Sequence, residues 1–322
     1  MRSAARLRFR PTLAADLAEC AEMLPAWLPL ERARLQSLWV TLQQQPAAMS
    51  TVMEDLAQPA GRRIQGWGCG LVLPPDWVLR LGLHGAALHP RAPVVPQVYA
   101  GLLDGSLVPP NDRELGTLNA RGSLHFLNLH YAQRATDLSD DYALAVLNIA
   151  NEAFRTAASG WRLHAMHFES SARDAPMFAS AGFPIVPYAE RGPWDDGSDE
   201  RRPVFLGITR EQARASLPGT SVRHAFEHQA PRFRLSMAQR RLLWHALFDE
   251  SDEHLMRVLS VSVHGLKKLW RGIYERIEDA EPDFFGDASS SDDEGRRGPE
   301  KRRQVLAYVR QRPEERRPWV EA

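Results

Sequence analysis

Residues 124–131 read Leu-His-Phe-Leu-Asn-Leu-His-Tyr, and residues 161–169 read Trp-Arg-Leu-His-Ala-Met-His-Phe-Glu. The first stretch alternates apolar with polar side chains, the period of a half-buried strand. The second is a strand of the same kind. Between them Ser139 stands as N-cap of a helix carrying Tyr142, Leu144, Leu147, Ala150 and Phe154, and Gly160 is its stop signal. A strand, a long helix and a strand in succession give a crossover unit with helix packed on sheet.

Working outward, Leu7–Pro11 is a short strand ended by proline, and Ala14–Leu24 has helical spacing. Ser50–Glu54 and Ile64–Val72 are strand-like, separated by the turn composition of Gln58-Pro59-Ala60-Gly61. Pro74–Pro110 is rich in proline and glycine and carries no clear period. After the second quoted strand come a short helix at Ala175–Ala181, closed by Gly182, and a last strand at Val204–Ile208. The chain has 322 residues, 44% hydrophobic and 25% charged, the proportions of a soluble globular protein with about two domains. Lys+Arg 40 balance Asp+Glu 40, so no overall field draws the chain to nucleic acid or membrane. Two cysteines, Cys20 and Cys69, exclude a disulfide framework and a four-cysteine zinc site. No apolar run approaches the roughly 20 residues of a membrane span, and MRSAARLRFRP lacks the apolar core of a signal peptide, so the expected location is cytoplasmic.

The order strand, helix ending in Ser159-Gly160-Trp161, strand, short helix, Ala181-Gly182-Phe183, strand resembles the C-terminal half of the GNAT acetyltransferase fold. Phe9-Arg10-Pro11-Thr12 with Ala15-Asp16-Leu17 is similar to the start of that fold. The resemblance spans roughly residues 7–210 and implies an α+β domain with a mixed sheet and flanking helices. GNAT enzymes bind the pyrophosphate of acetyl-CoA on a glycine-containing loop at a helix N-terminus, where free N–H groups face the anion. The corresponding Gln133-Arg134-Ala135-Thr136-Asp137-Leu138-Ser139-Asp140-Asp141 has no glycine and three aspartates, which repel a diphosphate. This departure implies a non-enzymatic domain with no cofactor, and fold alone does not fix function.

Residues 235–277 break into three short helices. Ser236 caps the first, Ser251 or Asp252 the second (Glu253–Leu259) and Ser262 the third, in which Leu266, Ile273 and Ile277 recur on one side. The segment resembles a LuxR-type helix-turn-helix at Leu243, Leu255, Leu259, Val261, Ser262, Leu266, Lys267 and Ile273. It departs at Asp249 (a turn glycine in the family), Gly265 (a DNA-contacting threonine) and Leu269 (a histidine). The resemblance implies a DNA-binding transcription regulator of bacterial type, its third helix in the major groove of double-stranded DNA. The expected contacts are Ser262, His264, Gly265, Lys267, Lys268 and Arg271, with no catalytic residue and no metal. The N-terminal domain then senses a small-molecule effector or assembles a homodimer. Two alternatives stand beside it: a GNAT-type acyltransferase with a regulatory helical C-terminus, and a helical unit that contacts protein. Glu278–Glu294 is acidic and serine-rich, a linker by composition. Between Arg296 and Arg317 nine basic residues face three acidic ones, on a helix at Glu300–Gln311 that is either a second phosphate-contacting element or a packed helix. The expected organisation is 1–215 GNAT-like α+β domain, 216–232 linker, 233–278 all-α helix-turn-helix, 279–298 acidic linker and 299–318 basic helix.

His164 and His167 with Glu169 suggest a metal site, but strand alternation sends the two histidines to opposite faces. Gly66-Trp67-Gly68-Cys69-Gly70 has no helix after it and reads as a bulged or close-packed strand rather than a phosphate loop. Trp67, Tyr131 and Trp161 are candidates for a ligand pocket or for core.

Overall fold

The computed structural model describes residues 6–85, 88–216, 218, 220–248, 250–286 and 294–321, with only the backbone at 221 and 294–297. Asp249 and the serine-rich centre of the expected acidic linker lie outside the described residues. In chain order the elements are β1 (Leu7–Pro11), α1 (Leu17–Ala21), α2 (Arg32–Leu42), β2 (Ala48–Asp55), β3 (Ile64–Leu73), α3 (Pro75–Arg80), α4 (Val94–Asp104), α5 (Asp112–Arg121), β4 (Leu124–Gln133), α6 (Asp141–Ala158), β5 (Leu163–Ser171), α7 (Ala175–Ser180), β6 (Ile185–Val186), β7 (Pro203–Thr209), α8 (Arg210–Ala215) and α9 (Ser221–Ala225). Then follow α10 (Met237–Ala246), α11 (Asp252–Leu259), α12 (Val263–Ala280) and α13 (Glu294–Gln311).

The strands form one mixed sheet in the order β1-β2-β3-β4-β5-β7-β6. Neighbours run antiparallel except β4 and β5, which are parallel and joined by α6. The sheet is covered on both faces. On one, α6 lays Val146, Ala150 and Ala153 against Met53. On the other, α1, α2 and α4 bury Trp39, Trp67 and Tyr99 in the main core, where Trp39 Nε1 donates to the Tyr99 hydroxyl at 3.2 Å.

The proline-rich stretch without a legible period contains α3 and α4. Pro75 occupies the first turn of α3 and Pro93 stands just before α4, places where a missing N–H costs nothing. Val94, Val95, Val98 and Tyr99 of α4 are buried in the main core, while Gln97, Ala100 and Asp104 are exposed. The expected linker at 216–232 is also different. It holds α9, whose Val222 and Ala225, with Phe226, belong to the main core.

Ser236, Ser251 and Ser262 cap α10, α11 and α12 through their hydroxyls. Leu242, Leu255, Leu266, Trp270 and Ile273 meet in a second core, completed by Val305, Leu306 and Val309 of α13. Phe284 and Phe285, at the start of the expected acidic linker, pack onto Phe233, Tyr274 and Tyr308. The helical unit is fastened to the sheet. Phe248 meets Phe9 edge-on at 5.3 Å, Arg240 pairs with Asp112, and Arg241 Nη2 donates to Gln44 Oε1 at 3.0 Å. The chain after α13 returns to the sheet domain, where Asn119 Nδ2 donates to the Pro318 carbonyl at 2.9 Å and Val320 N–H to the Gly116 carbonyl at 3.1 Å.

Candidate active site

The parallel pair β4–β5 opens as it runs. Leu124–Asn128 pair with Leu163–Phe168, and beyond that point β4 stays with β3 (Tyr131 opposite Gly68) while β5 stays with β7 (Ser170 opposite Val204). A crevice at the carboxyl ends of diverging parallel strands is where open sheets bind ligands. Two cavities flank it. One, of about 450 Å³, carries Glu22, Arg134, Ser170, Arg173 and Asp174 on part of its wall and Met23, Leu24, Trp27 and Phe178 on the rest. The other, of about 570 Å³, lies between the sheet and α6 and is walled by Met49, Met53, Phe126, Phe154, Phe168 and Phe183. Tyr131, Leu147, Met177 and Phe178 border both.

The apolar cavity explains the alternating glycines of β3. Trp67, Cys69 and Leu71 point into the main core, so Gly68 and Gly70 face the cavity. A Cβ on Gly70 would stand 2.2 Å from Cζ of Phe126, whereas one on Gly68 would find its nearest atoms at 3.8 and 3.9 Å. Glycine thus lets Phe126 lie flat on the strand at 70 and leaves open floor at 68. The register shift opposite Cys69 and Gly70 leaves Leu129 of β4 as the extra residue, so the bulge lies on the partner strand and the glycine strand itself is the close-packed one.

Tyr131 donates its hydroxyl to Gln133 Oε1, and burial pushes its pKa above the ordinary tyrosine value, so it stays protonated. Ser171 Oγ donates to Asp174 Oδ2 at 2.7 Å. Arg134 spans to Glu22 at 3.0 Å and to the Ile64 carbonyl at 2.9 Å, and Arg173 to Glu200 at 2.7 Å. Cations and carboxylates share this wall, Arg134 paired with Glu22 and Arg173 with Asp174 and Glu200.

At the N-terminus of α6 the aspartates do the capping. Asp140 accepts from Tyr142 N–H at 3.0 Å, one residue later than the expected Ser139 cap, and Asp137 Oδ1 accepts from Ser139 N–H and Oγ at 3.0 and 2.7 Å. These N–H groups are already satisfied by carboxylates, so the residues do not fit the diphosphate of a coenzyme A at this helix end.

His164 and His167 are not on opposite faces. Leu124 opposes Leu163 and His125 opposes Ala165, leaving His164 in a bulge that breaks the alternation. Both rings approach His125, at 5.0 and 5.3 Å between centroids, and His125 Nδ1 and His167 Nε2 share a hydrogen bond of 3.0 Å. Burial holds His125 down at about 3 and His167 well below its ordinary value. Among the described residues no group of three His, Cys, Asp or Glu side chains is placed to hold a metal ion.

The residues expected to touch DNA lie along α12. Ser262 Oγ accepts from Gly265 N–H at 3.1 Å, and His264, Lys267, Lys268 and Arg271 are exposed on the face away from Leu266 and Ile273. Such exposure is what any solvated helix face shows. They are far from the sheet crevice in sequence and none lines either cavity.

No family model matches the chain, and no curated protein matches it. Solved structures do. The spermidine/spermine N-acetyltransferase SpeG from Vibrio cholerae, in mutant form, is similar over 66% of this chain and 99% of its own, at 11% identity and a TM-score of 0.34. Arabidopsis thaliana NAA60 in complex with acetyl-CoA covers 64% of this chain and 99% of its own, at 11% identity and a TM-score of 0.36. FeeM, an N-acyl amino acid synthase from uncultured soil microbes, covers 66% and 97%, at 10% identity and 0.34. With the strand order above, the N-terminal part is GNAT-like. By name these neighbours are acetyltransferases and an acyl synthase, which runs against the expectation of a DNA-binding transcription regulator and of a non-enzymatic sheet domain. Nothing in these comparisons shows a LuxR-type helix-turn-helix. Identities this low speak to the course of the chain, and the chemistry rests on the cavities of this chain. No described helix is long and apolar enough to cross a membrane.

Proposed function

We propose that the chain is an acyltransferase that moves an apolar acyl group from a thioester to an amine at the β4–β5 crevice. One observation carries the reading: a cavity with charged side chains along part of its wall and one rich in phenylalanine and methionine meet at Tyr131, where the parallel pair β4–β5 separates. The acyl chain lies in the apolar cavity, over Gly68 and Gly70, and the amine enters from the polar side. Attack by the amine nitrogen forms an N–C bond and breaks the C–S bond, and one amine proton ends on the departing sulfur. Tyr131, protonated and at the junction, is placed to relay it, giving its own hydroxyl proton to the sulfur and taking the amine proton in return. Because the α6 N-terminus does not fit a diphosphate, recognition of the donor rests on its acyl and thioester portions. The C-terminal helices, with the helix-turn-helix framework read from their sequence, serve as a regulatory cap packed on β1 and the chain just after α2.

The test is thiol release from a series of acyl thioesters, offered as coenzyme A esters and as N-acetylcysteamine esters that lack the diphosphate. Amine-dependent release is expected, favouring longer chains, with the two donor classes within about tenfold of each other in kcat/KM. Gly68→Leu, which fills open floor, should depress long-chain transfer and spare acetyl transfer. Absence of amine-dependent release from every donor refutes the proposal.

A further inference from the structure

A third cavity lies between the sheet domain and the C-terminal helices, of about 160 Å³. Its walls include Arg240, Arg241 and Trp244 of α10, Trp161, and Arg316 and Arg317 of the returning tail. The tail makes a short 3-10 turn at Pro313–Arg316 that buries both arginines, 6% and 8% exposed. Arg317 lies over the Trp161 ring at 4.5 Å and donates only to carbonyls, from Nη2 to Ala157 at 2.6 Å and to Ser159 at 2.7 Å. Arg316 lies over Trp244 at 4.9 Å, and its Nη2 donates to the Thr156 carbonyl at 2.9 Å. Its Nε and Nη1 are buried with no hydrogen-bond partner among the described residues.

The charge around this space is one-sided. Asp112 is the carboxylate lining it, and it is taken by Arg240; Glu314 lends Arg316 some counter-charge but is hydrogen-bonded to Arg312. His245, also in the wall, is held neutral by burial, its pKa down at about 4. Burial likewise pulls Arg316 down to about 10. Buried guanidinium groups without counter-charge are costly, and the usual remedy is an anion with matching oxygens. Arginine forks pair two N–H groups with two oxygens of a phosphate or carboxylate. The volume is below the roughly 300 Å³ of organic-ligand pockets.

We infer that this cavity is a binding site for a phosphate-sized oxyanion, held by Arg316 and Arg317 with Arg241 at its rim. The ion bridges the tail to α10 and so ties the helical unit to the sheet. The cavity shares Met49, Ser50 and Ala157 with the apolar one. The oxyanion is therefore either free or the head of an apolar chain lying next door. The site does not depend on acyl transfer.

The test titrates the full chain with inorganic phosphate and, separately, with decyl phosphate, against sodium chloride at matched ionic strength. Tryptophan fluorescence reads it, since Trp161 and Trp244 line the site. Saturable binding of phosphate supports a free ion, and binding at least about tenfold tighter for decyl phosphate assigns the head of an amphiphile. Arg316→Met should weaken either ligand at least about tenfold and, having lost an uncompensated charge, melt no lower than wild type without ligand. Arg241→Gln, nearer the surface, should weaken binding less and guards against a misfolded Arg316 variant. No saturable response to either ligand in wild type, or unchanged affinity in a folded Arg316→Met, overturns the inference.

Discussion

Glu169→Gln probes a carboxylate that β5 carries beneath α4. Its Oε1 accepts from Val94 N–H at 2.7 Å and from the Tyr188 hydroxyl at 2.6 Å, and its Oε2 from Val95 N–H at 2.7 Å. Val94 and Val95 open α4, so Glu169 satisfies two N–H groups that no carbonyl of the helix can reach. Those donors favour the carboxylate, yet burial dominates and pushes its pKa from 4.5 up to about 7. The unfolded chain releases this proton near 4.5 while the folded chain keeps it to about 7. The folded state therefore holds more protons across that window, and its stability falls as pH rises through it. At about 1.4 kcal/mol per pH unit, the loss approaches about 3 kcal/mol once the pH is well above 7. Glutamine is neutral throughout and close in shape. The other titrating groups are common to both proteins, so the difference between them isolates position 169. Guanidinium unfolding followed by tryptophan fluorescence, from about pH 4 to about pH 8.5, should show the variant gaining about 3 kcal/mol on wild type as pH rises. A flat difference, or wild type gaining on the variant, would mean that the three donors outweigh burial, and the reasoning fails.

Gly70→Ala should destabilise by about 1–3 kcal/mol through the close approach to the Phe126 ring. Adding Phe126→Leu should recover part of the loss in melting temperature; a single variant as stable as wild type counts against the packing described. Ser262→Ala removes the hydroxyl that accepts from Gly265 N–H and should cost about 1 kcal/mol in urea unfolding, with Ser262→Thr costing less.

Element by element, the strands and caps were legible because their signals are local. Alternation marked β4 and β5, and Ser236, Ser251 and Ser262 announced three helix starts from side-chain chemistry alone. α4 was not legible, since Pro93 and Pro96 stand at its start and its polar stripe is reduced to Gln97 and Asp104. The pairing of His164 and His167 was misread because a bulge depends on the partner strand. Of the candidate site, Tyr131 was visible as a pocket residue, and the period-two glycines of β3 were a signal for a cleared strand face. Arg316 and Arg317 gave no such signal: in sequence they belong to a basic run like any solvated one.

The order of residues by itself determined where strands and helices form, which faces are apolar and that a crossover helix joins two strands, because these follow from side-chain spacing and capping over a few residues. Only the tertiary structure decided that β4 and β5 part beyond Asn128, that two cavities meet at Tyr131, and that the tail folds back to bury two arginines against the sheet. Those outcomes depend on contacts between residues far apart in the chain, such as Leu124 with Leu163 and Arg317 with Ser159, and no local pattern encodes them.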